Sequence, residues 1–147
     1  MSAVGHKENK MDEKKCKDKV RGKLRGQVED LEKLWKLYQV GDESDPDLGT
    51  FNEYGLCFDY VAPGTFGGQK RGYFRYQLSW GGPSDEFRFF TDEGLRPVRI
   101  EYWFLDWFDG AKITLKEGSR DDALLREIWG FFEECGSVKA ELDKARS

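Results

Sequence analysis

Histidine is almost missing from this chain: His6 is the one copy in 147 residues, and it stands in a polar N-terminal stretch. Nothing else in the sequence replaces it as a base of near-neutral pKa, so Ser-His or Cys-His nucleophilic catalysis lacks its central residue. Cysteine is scarce too. Cys16, Cys57 and Cys135 form an odd set with no Cys-x-x-Cys spacing. That set fits neither a disulfide framework nor a zinc site and points to inert thiols in a reducing compartment. No apolar run approaches the roughly 20 residues of a membrane-spanning helix. The Lys-rich N-terminus also lacks the apolar segment of a secretory signal. The glycine-rich turns, Gly64 to Gly68 and Gly81-Gly82, lack the Gly-Lys-Ser/Thr ending of a phosphate loop. Paired carboxylates could act as acid and base, but the available ones fall in turns rather than in a cleft. The expectation from these absences is a cytoplasmic protein that is not an enzyme. It has no catalytic residues, no metal, no cofactor and no membrane association.

Charge is plentiful and unevenly placed. The chain holds 24 Lys and Arg against 28 Asp and Glu, a net charge of −4. Residues 1–40 carry eleven basic and seven acidic side chains, while the rest carry thirteen and twenty-one. Residues 1–23, with Lys14, Lys15, Lys17, Lys19 and Arg21, contain few apolar side chains and are expected to form a basic, disordered leader. Residues 24–147 are long enough for one domain that buries roughly 70% of its unfolded surface.

Leu24, Val28, Leu31, Trp35 and Tyr38 recur at four, three, four and three residues, one apolar stripe of a helix that Gly41 and the following acidic run terminate. The period then becomes two. Tyr54, Leu56, Phe58 and Tyr60 share one face; so do Phe74, Tyr76, Leu78 and Trp80, then Phe87 and Phe89, then Val98, Ile100, Tyr102 and Phe104. Alternation of this kind marks strands buried on one side, as in an antiparallel sheet. Asp109-Gly110 signals a hairpin into a short fifth strand near Lys112 to Leu115. Ser119 and Asp122 form the start of a second helix through Cys135, Gly136 suits its C-terminal cap, and Val138 and Leu142 fit a last short helix. The fold class expected is α+β: a two-layer sandwich with an N-terminal helix, a four- to five-stranded antiparallel meander, and one or more C-terminal helices on its apolar face.

Two surfaces compete as functional candidates. The first gathers the turn acids Asp85, Glu86, Asp92, Glu93, Asp106 and Asp109 around Trp107, a make-up suited to docking on a host protein or nucleoprotein complex. The second joins the basic leader, Lys14, Lys15, Lys17, Lys19 and Arg21, to an outer sheet face bearing Tyr73, Arg75, Arg88 and Trp103, suited to binding nucleic acid. The plainer expectation for that face is a solvated ladder of cross-strand Glu–Arg pairs. An exposed aromatic face is also compatible with a homodimer seam.

The run Gly72-Tyr73-Phe74-Arg75-Tyr76-Gln77-Leu78-Ser79-Trp80-Gly81-Gly82-Pro83-Ser84-Asp85-Glu86-Phe87-Arg88-Phe89, with Glu101 to Gly110, resembles small proteins encoded on bacterial conjugative plasmids and integrated mobile elements. The resemblance covers roughly residues 24–145 and carries no established activity, so it transfers no site residues. It implies a setting in which accessory genes often encode antirestriction proteins and CRISPR inhibitors. With the acidic turns, it favours a protein that binds and inhibits or modulates a host nucleic-acid-handling or defence complex. A nucleic-acid-binding accessory protein is the alternative.

Overall fold

The computed structural model describes residues 15–147. Helix α1 (Cys16–Gln39) leads through a short helical turn α2 (Phe51–Tyr54) into five strands. These are β1 (Cys57–Val61), β2 (Tyr73–Ser79), β3 (Ser84–Thr91), β4 (Pro97–Asp106) and β5 (Asp109–Thr114). Helices α3 (Arg120–Glu134) and α4 (Ser137–Arg146) complete the chain. The strands pair antiparallel in the order β1-β2-β3-β4-β5, an open meander as the alternating pattern and turn residues imply.

The inner face of the sheet carries Phe58, Phe74, Tyr76, Phe87, Phe89, Ile100, Tyr102 and Phe104, and the helices close over it. The register puts Phe74 opposite Phe89 and Phe89 opposite Ile100, so apolar side chains line up across three strands. Trp129 of α3 sits at the centre, 5.1 Å from the Phe74 ring and 5.2 Å from that of Phe89. Its indole N–H donates to the Leu95 carbonyl at 3.2 Å, so the one polar atom of the side chain is satisfied. Ser119 caps α3 by accepting from the Asp122 N–H, and Gly136, at φ 85°, makes the left-handed turn into α4.

Two local expectations are corrected. Tyr54 and Leu56 do not begin the first strand. Thr50 and Glu53 form a reciprocal capping box that holds Phe51–Tyr54 as a helical turn, and Phe51 inserts 5.1 Å from Trp35 and 5.2 Å from Phe131. Gly55 then passes so close to Tyr76 that a Cβ would lie 2.3 Å from the ring. Trp80, expected on the inner face, lies beyond the end of β2 and is 76% exposed.

The expected boundary at residue 24 also moves. Helix α1 begins at Cys16, and Cys16, Val20, Leu24, Val28, Leu31 and Leu34 form one buried stripe. Burial of Cys16 and Val20 supplies the apolar area that residues 16–23 were thought to lack, because a free cysteine packs as a small hydrophobe. The leader residues before position 15, Lys14 among them, lie outside the described residues.

Candidate interaction surfaces

The acids expected to form one patch have separate fates. Asp85 is only 3% exposed, on the inner side of β3. Its carboxylate accepts from the Tyr102 hydroxyl at 2.6 Å, from Gln27 Nε2 at 2.7 Å and from the Ser79 hydroxyl. Gln27 in turn meets the Tyr54 hydroxyl, which lies 2.8 Å from Asp30 Oδ2. Asp85 therefore ties α1 to the sheet and is not available to a partner. Burial and the neighbouring carboxylates hold the Tyr54 and Tyr102 phenols protonated, well above their ordinary pKa.

Glu86 is buried as well and accepts from Arg88 Nε at 2.7 Å. Asp92 closes the β3–β4 turn by accepting from the Arg96 N–H at 3.0 Å, which lowers its pKa, and Glu93 is exposed beside it. That turn is at the opposite end of the sheet from Asp106, Trp107 and Asp109, since Ser84 and Leu105 are register partners. The seven residues do not make one surface. The sequence pattern could not show this, because turn acids look alike whichever end of a meander they occupy.

Asp109 has a structural task of its own. Lys15 at the N-cap of α1 offers no side-chain cap, and the Cys16 N–H donates instead to Asp109 Oδ2 at 2.7 Å. This hydrogen bond is the main cause holding the Asp109 carboxyl below its ordinary value. Burial, and then Asp109, push the Cys16 thiol up.

The outer sheet face is neither bare nor freely solvated. Asp59 and Arg75 pair across β1 and β2 through two hydrogen bonds, 3.0 and 2.7 Å. The Arg88 guanidinium lies between the Tyr73 ring, 4.6 Å away, and the Trp103 ring, 3.9 Å away. Glu101 accepts from Trp103 Nε1 at 2.9 Å and Lys112 Nζ at 3.2 Å and pairs with Arg99, whose Nε lies 3.1 Å away. The expected Glu–Arg pairing is thus present, but Tyr73, Glu86, Phe90 and Glu101 are buried within it.

Over this ladder stands the β1–β2 connection, whose residues Phe66 to Arg71 border an open cleft of about 500 Å³. Lys70, Arg71, Arg88, Arg99 and Lys112 bring five positive charges to the cleft and Glu101 one negative charge. With Glu86 beneath Arg88, the excess is three. Lys70 and Arg71 make no ion pair among the described residues. The Tyr73 hydroxyl is buried against the cleft with no hydrogen-bond partner among the described residues, and burial keeps it neutral by raising its pKa. Tyr73, Arg88 and Trp103 were all singled out from sequence. The alternation also puts Arg99 on this face, whereas Lys70 and Arg71, in the β1–β2 connection, and Lys112, on the edge strand β5, are brought to it only by the fold.

A second exposed feature occupies the far end of the sheet. Trp107 and Phe108 form the two-residue tip between β4 and β5 and are 87% and 105% exposed. The Trp107 indole lies beside Gly82 of the β2–β3 turn, where a Cβ would be 3.4 Å from its Nε1. Lys15, Lys17 and Arg21 are exposed along the first turns of α1, with Lys19 half-buried.

Among the described residues no group of three or more His, Cys, Asp and Glu side chains is placed to hold a metal ion, and no helix is long and apolar enough to cross a membrane. Comparison with protein-family models, with curated proteins and with solved structures gave no match to this chain.

Proposed function

We propose that the protein is a nucleic-acid-binding accessory protein that holds its ligand on the outer face of the sheet. One observation carries this reading: a chain of net charge −4 concentrates five cations and one acid around a single cleft. Gathering like charge in one place costs folding energy through self-repulsion. An anionic ligand offsets that cost, and a phosphodiester chain does so repeatedly along its length. The Arg88 guanidinium is held by its stacking on Tyr73 and Trp103, and that of Arg99 lies over Phe90, so little of their side-chain freedom remains to be lost when a phosphate arrives.

The reading that the sequence favours, an acidic surface that docks on a host defence complex, has less to support it because its acids do not share one surface. Asp85 and Glu86 are interior, and Asp92 and Glu93 are at the wrong end of the sheet.

The test is fluorescence anisotropy with a labelled oligonucleotide, titrated with wild-type protein and with Lys70→Glu/Arg71→Glu. Both side chains are exposed and make no ion pair among the described residues, so the variant should fold normally. Three net charges predict that log K falls with log salt at a slope of about −2 for a single strand. The double variant should weaken binding and flatten the slope. Undiminished binding by the variant, or a slope near zero, sinks the reading.

A further inference from the structure

We infer that the nucleic acid is single-stranded, and that its bases stack on the bare rings at the β2–β3 and β4–β5 end of the sheet. This rests on the outer-face reading above and adds which form of nucleic acid is bound and where its bases go.

The rings on the sheet floor of the cleft are already occupied. Trp103 has Arg88 on it at 3.9 Å and Lys112 Nζ at 5.6 Å, and Phe90 has the Arg99 guanidinium at 4.3 Å. Tyr73 is buried. The floor of the cleft therefore offers charge to phosphates, and Phe66 on its border is the one ring there that a base could stack on among the described residues. Phe66, on the loop that borders the cleft, is half-exposed, and the barest rings are Trp80, Trp107 and Phe108, at 76%, 87% and 105% exposure. None of the three has an aromatic or cationic partner among the described residues.

The two features lie on one path. Along β4 the outer face runs Arg99, Glu101, Trp103, Leu105, and two residues further comes Trp107. At about 3.4 Å per residue, Arg99 and Trp107 are roughly 27 Å apart along the strand. An extended strand of several nucleotides spans that length, with phosphates over Arg99, Arg88 and Lys112 and bases reaching the tip.

The tip is hard to explain by stability. Trp107 is held at φ 54°, a left-handed conformation that a bulky residue adopts only at a cost, and its side chain buries almost nothing in return. Glycine would serve the turn better. The retained indole therefore points to a contact made outside the folded chain. Acids flank it, but the Asp109 carboxylate is turned to the α1 N-terminus. Negative flanks discourage phosphates at the tip and leave the rings to bases. Paired bases within a duplex present no free faces, whereas unpaired ones do, and each stacked base contributes about 1–3 kcal/mol.

The experiment compares Trp107→Gly/Phe108→Ser with wild type and with Lys70→Glu/Arg71→Glu. The probes are a labelled oligothymidylate and a labelled blunt duplex of equal length, at low salt. Glycine suits the φ of position 107, so the fold should persist; circular dichroism and the melting temperature check this. The expected result is that wild type prefers the single strand. The tip variant should lose about tenfold or more for the single strand at an unchanged salt slope. If the tip variant binds the single strand as wild type does while the cleft variant is weakened, the stacking inference falls and the cleft reading stands. Equal affinity for duplex and single strand overturns the inference in the same way. If wild type binds neither probe, both fall, and the tip becomes a contact for a protein partner.

Discussion

The Cys16 backbone N–H and the Asp109 carboxylate, 93 residues apart in sequence, share a hydrogen bond of 2.7 Å that begins the first helix. The cap that a helix ordinarily finds one residue upstream is supplied here by a β-hairpin. Replacing Asp109 by Ala should let the first turn of α1 fray. Hydrogen exchange should quicken at the amides of Lys17 to Lys19 and not in α3. The Cys16 thiol should react faster with a disulfide reagent, since both its burial and its raised pKa depend on this corner. Unchanged exchange and unchanged Cys16 reactivity would show that the cap is dispensable.

Acid should destabilise the protein in a definite window. Asp45, Asp92 and Asp109 are each held below the ordinary carboxylate value of 3.8. The first-ranked causes are Lys33 for Asp45, the Arg96 N–H for Asp92 and the Cys16 N–H for Asp109. A carboxyl with a depressed folded-state pKa contributes stability that is fully present above its unfolded value and lost as pH falls through the folded one. Melting temperature should therefore be insensitive to these groups above about pH 5 and drop below about pH 4. The triple Asn variant should show a flatter acid limb in melts from pH 2 to 7. An acid limb of the same steepness would place the responsible carboxylates elsewhere.

Asp85 is predicted to matter for folding rather than for partners. Asp85→Ala strips Tyr102, Gln27 and Ser79 of a shared acceptor in the interior. Urea unfolding should show a loss of about 3 kcal/mol, and Asp85→Asn should lose less. In a cycle with Tyr102→Phe the two losses should add to more than the double variant shows, because they remove one contact. Strict additivity would mean that the hydroxyl and the carboxylate are not coupled.

Glu101 holds back the charge of the cleft. Changing it to Gln leaves Arg99 and Lys112 without their counter-ion and raises the excess from three to four. Oligonucleotide affinity at low salt should rise, with a salt slope steeper by about 0.7, while stability falls. Weaker binding by this variant would count against the cleft as the ligand site.

The architecture was readable because the two periods were clean. Phe74, Tyr76 and Leu78, and Ile100, Tyr102 and Phe104, alternate without a break, and each is buried as the pattern requires. Where reading failed, a residue had been assigned its commonest role. Asp85 and Glu86 stand just after a Gly-Gly-Pro turn and look like solubilising acids, yet both are buried within β3, where Asp85 finds donors on α1, β2 and β4 and Glu86 accepts from Arg88 of its own strand. Cys16 and Val20 were too sparse to predict a helix alone, and the cap that starts it is distant in sequence. For the candidate site, the alternation puts Tyr73, Arg88 and Trp103, on three neighbouring strands, on one face of the sheet. The cleft also needs Lys70 and Arg71 from the β1–β2 connection, and no local pattern announces that a loop will fold back over a sheet.

The ties of α1 also carry a consequence for the order of assembly. Besides Asp45 and Tyr54 nearby in sequence, its partners include Asp85 of β3, Asp109 of β5 and Arg120 of α3, and β5 is the strand it touches most. During synthesis the helix emerges first and must wait for the last strand before its Cys16-to-Leu24 stripe has anything to cover. Until the ribosome has released β5, that stripe is a sticky surface on a nascent chain. A chain cut short before the β4–β5 hairpin leaves its first helix uncapped and its apolar stripe in water.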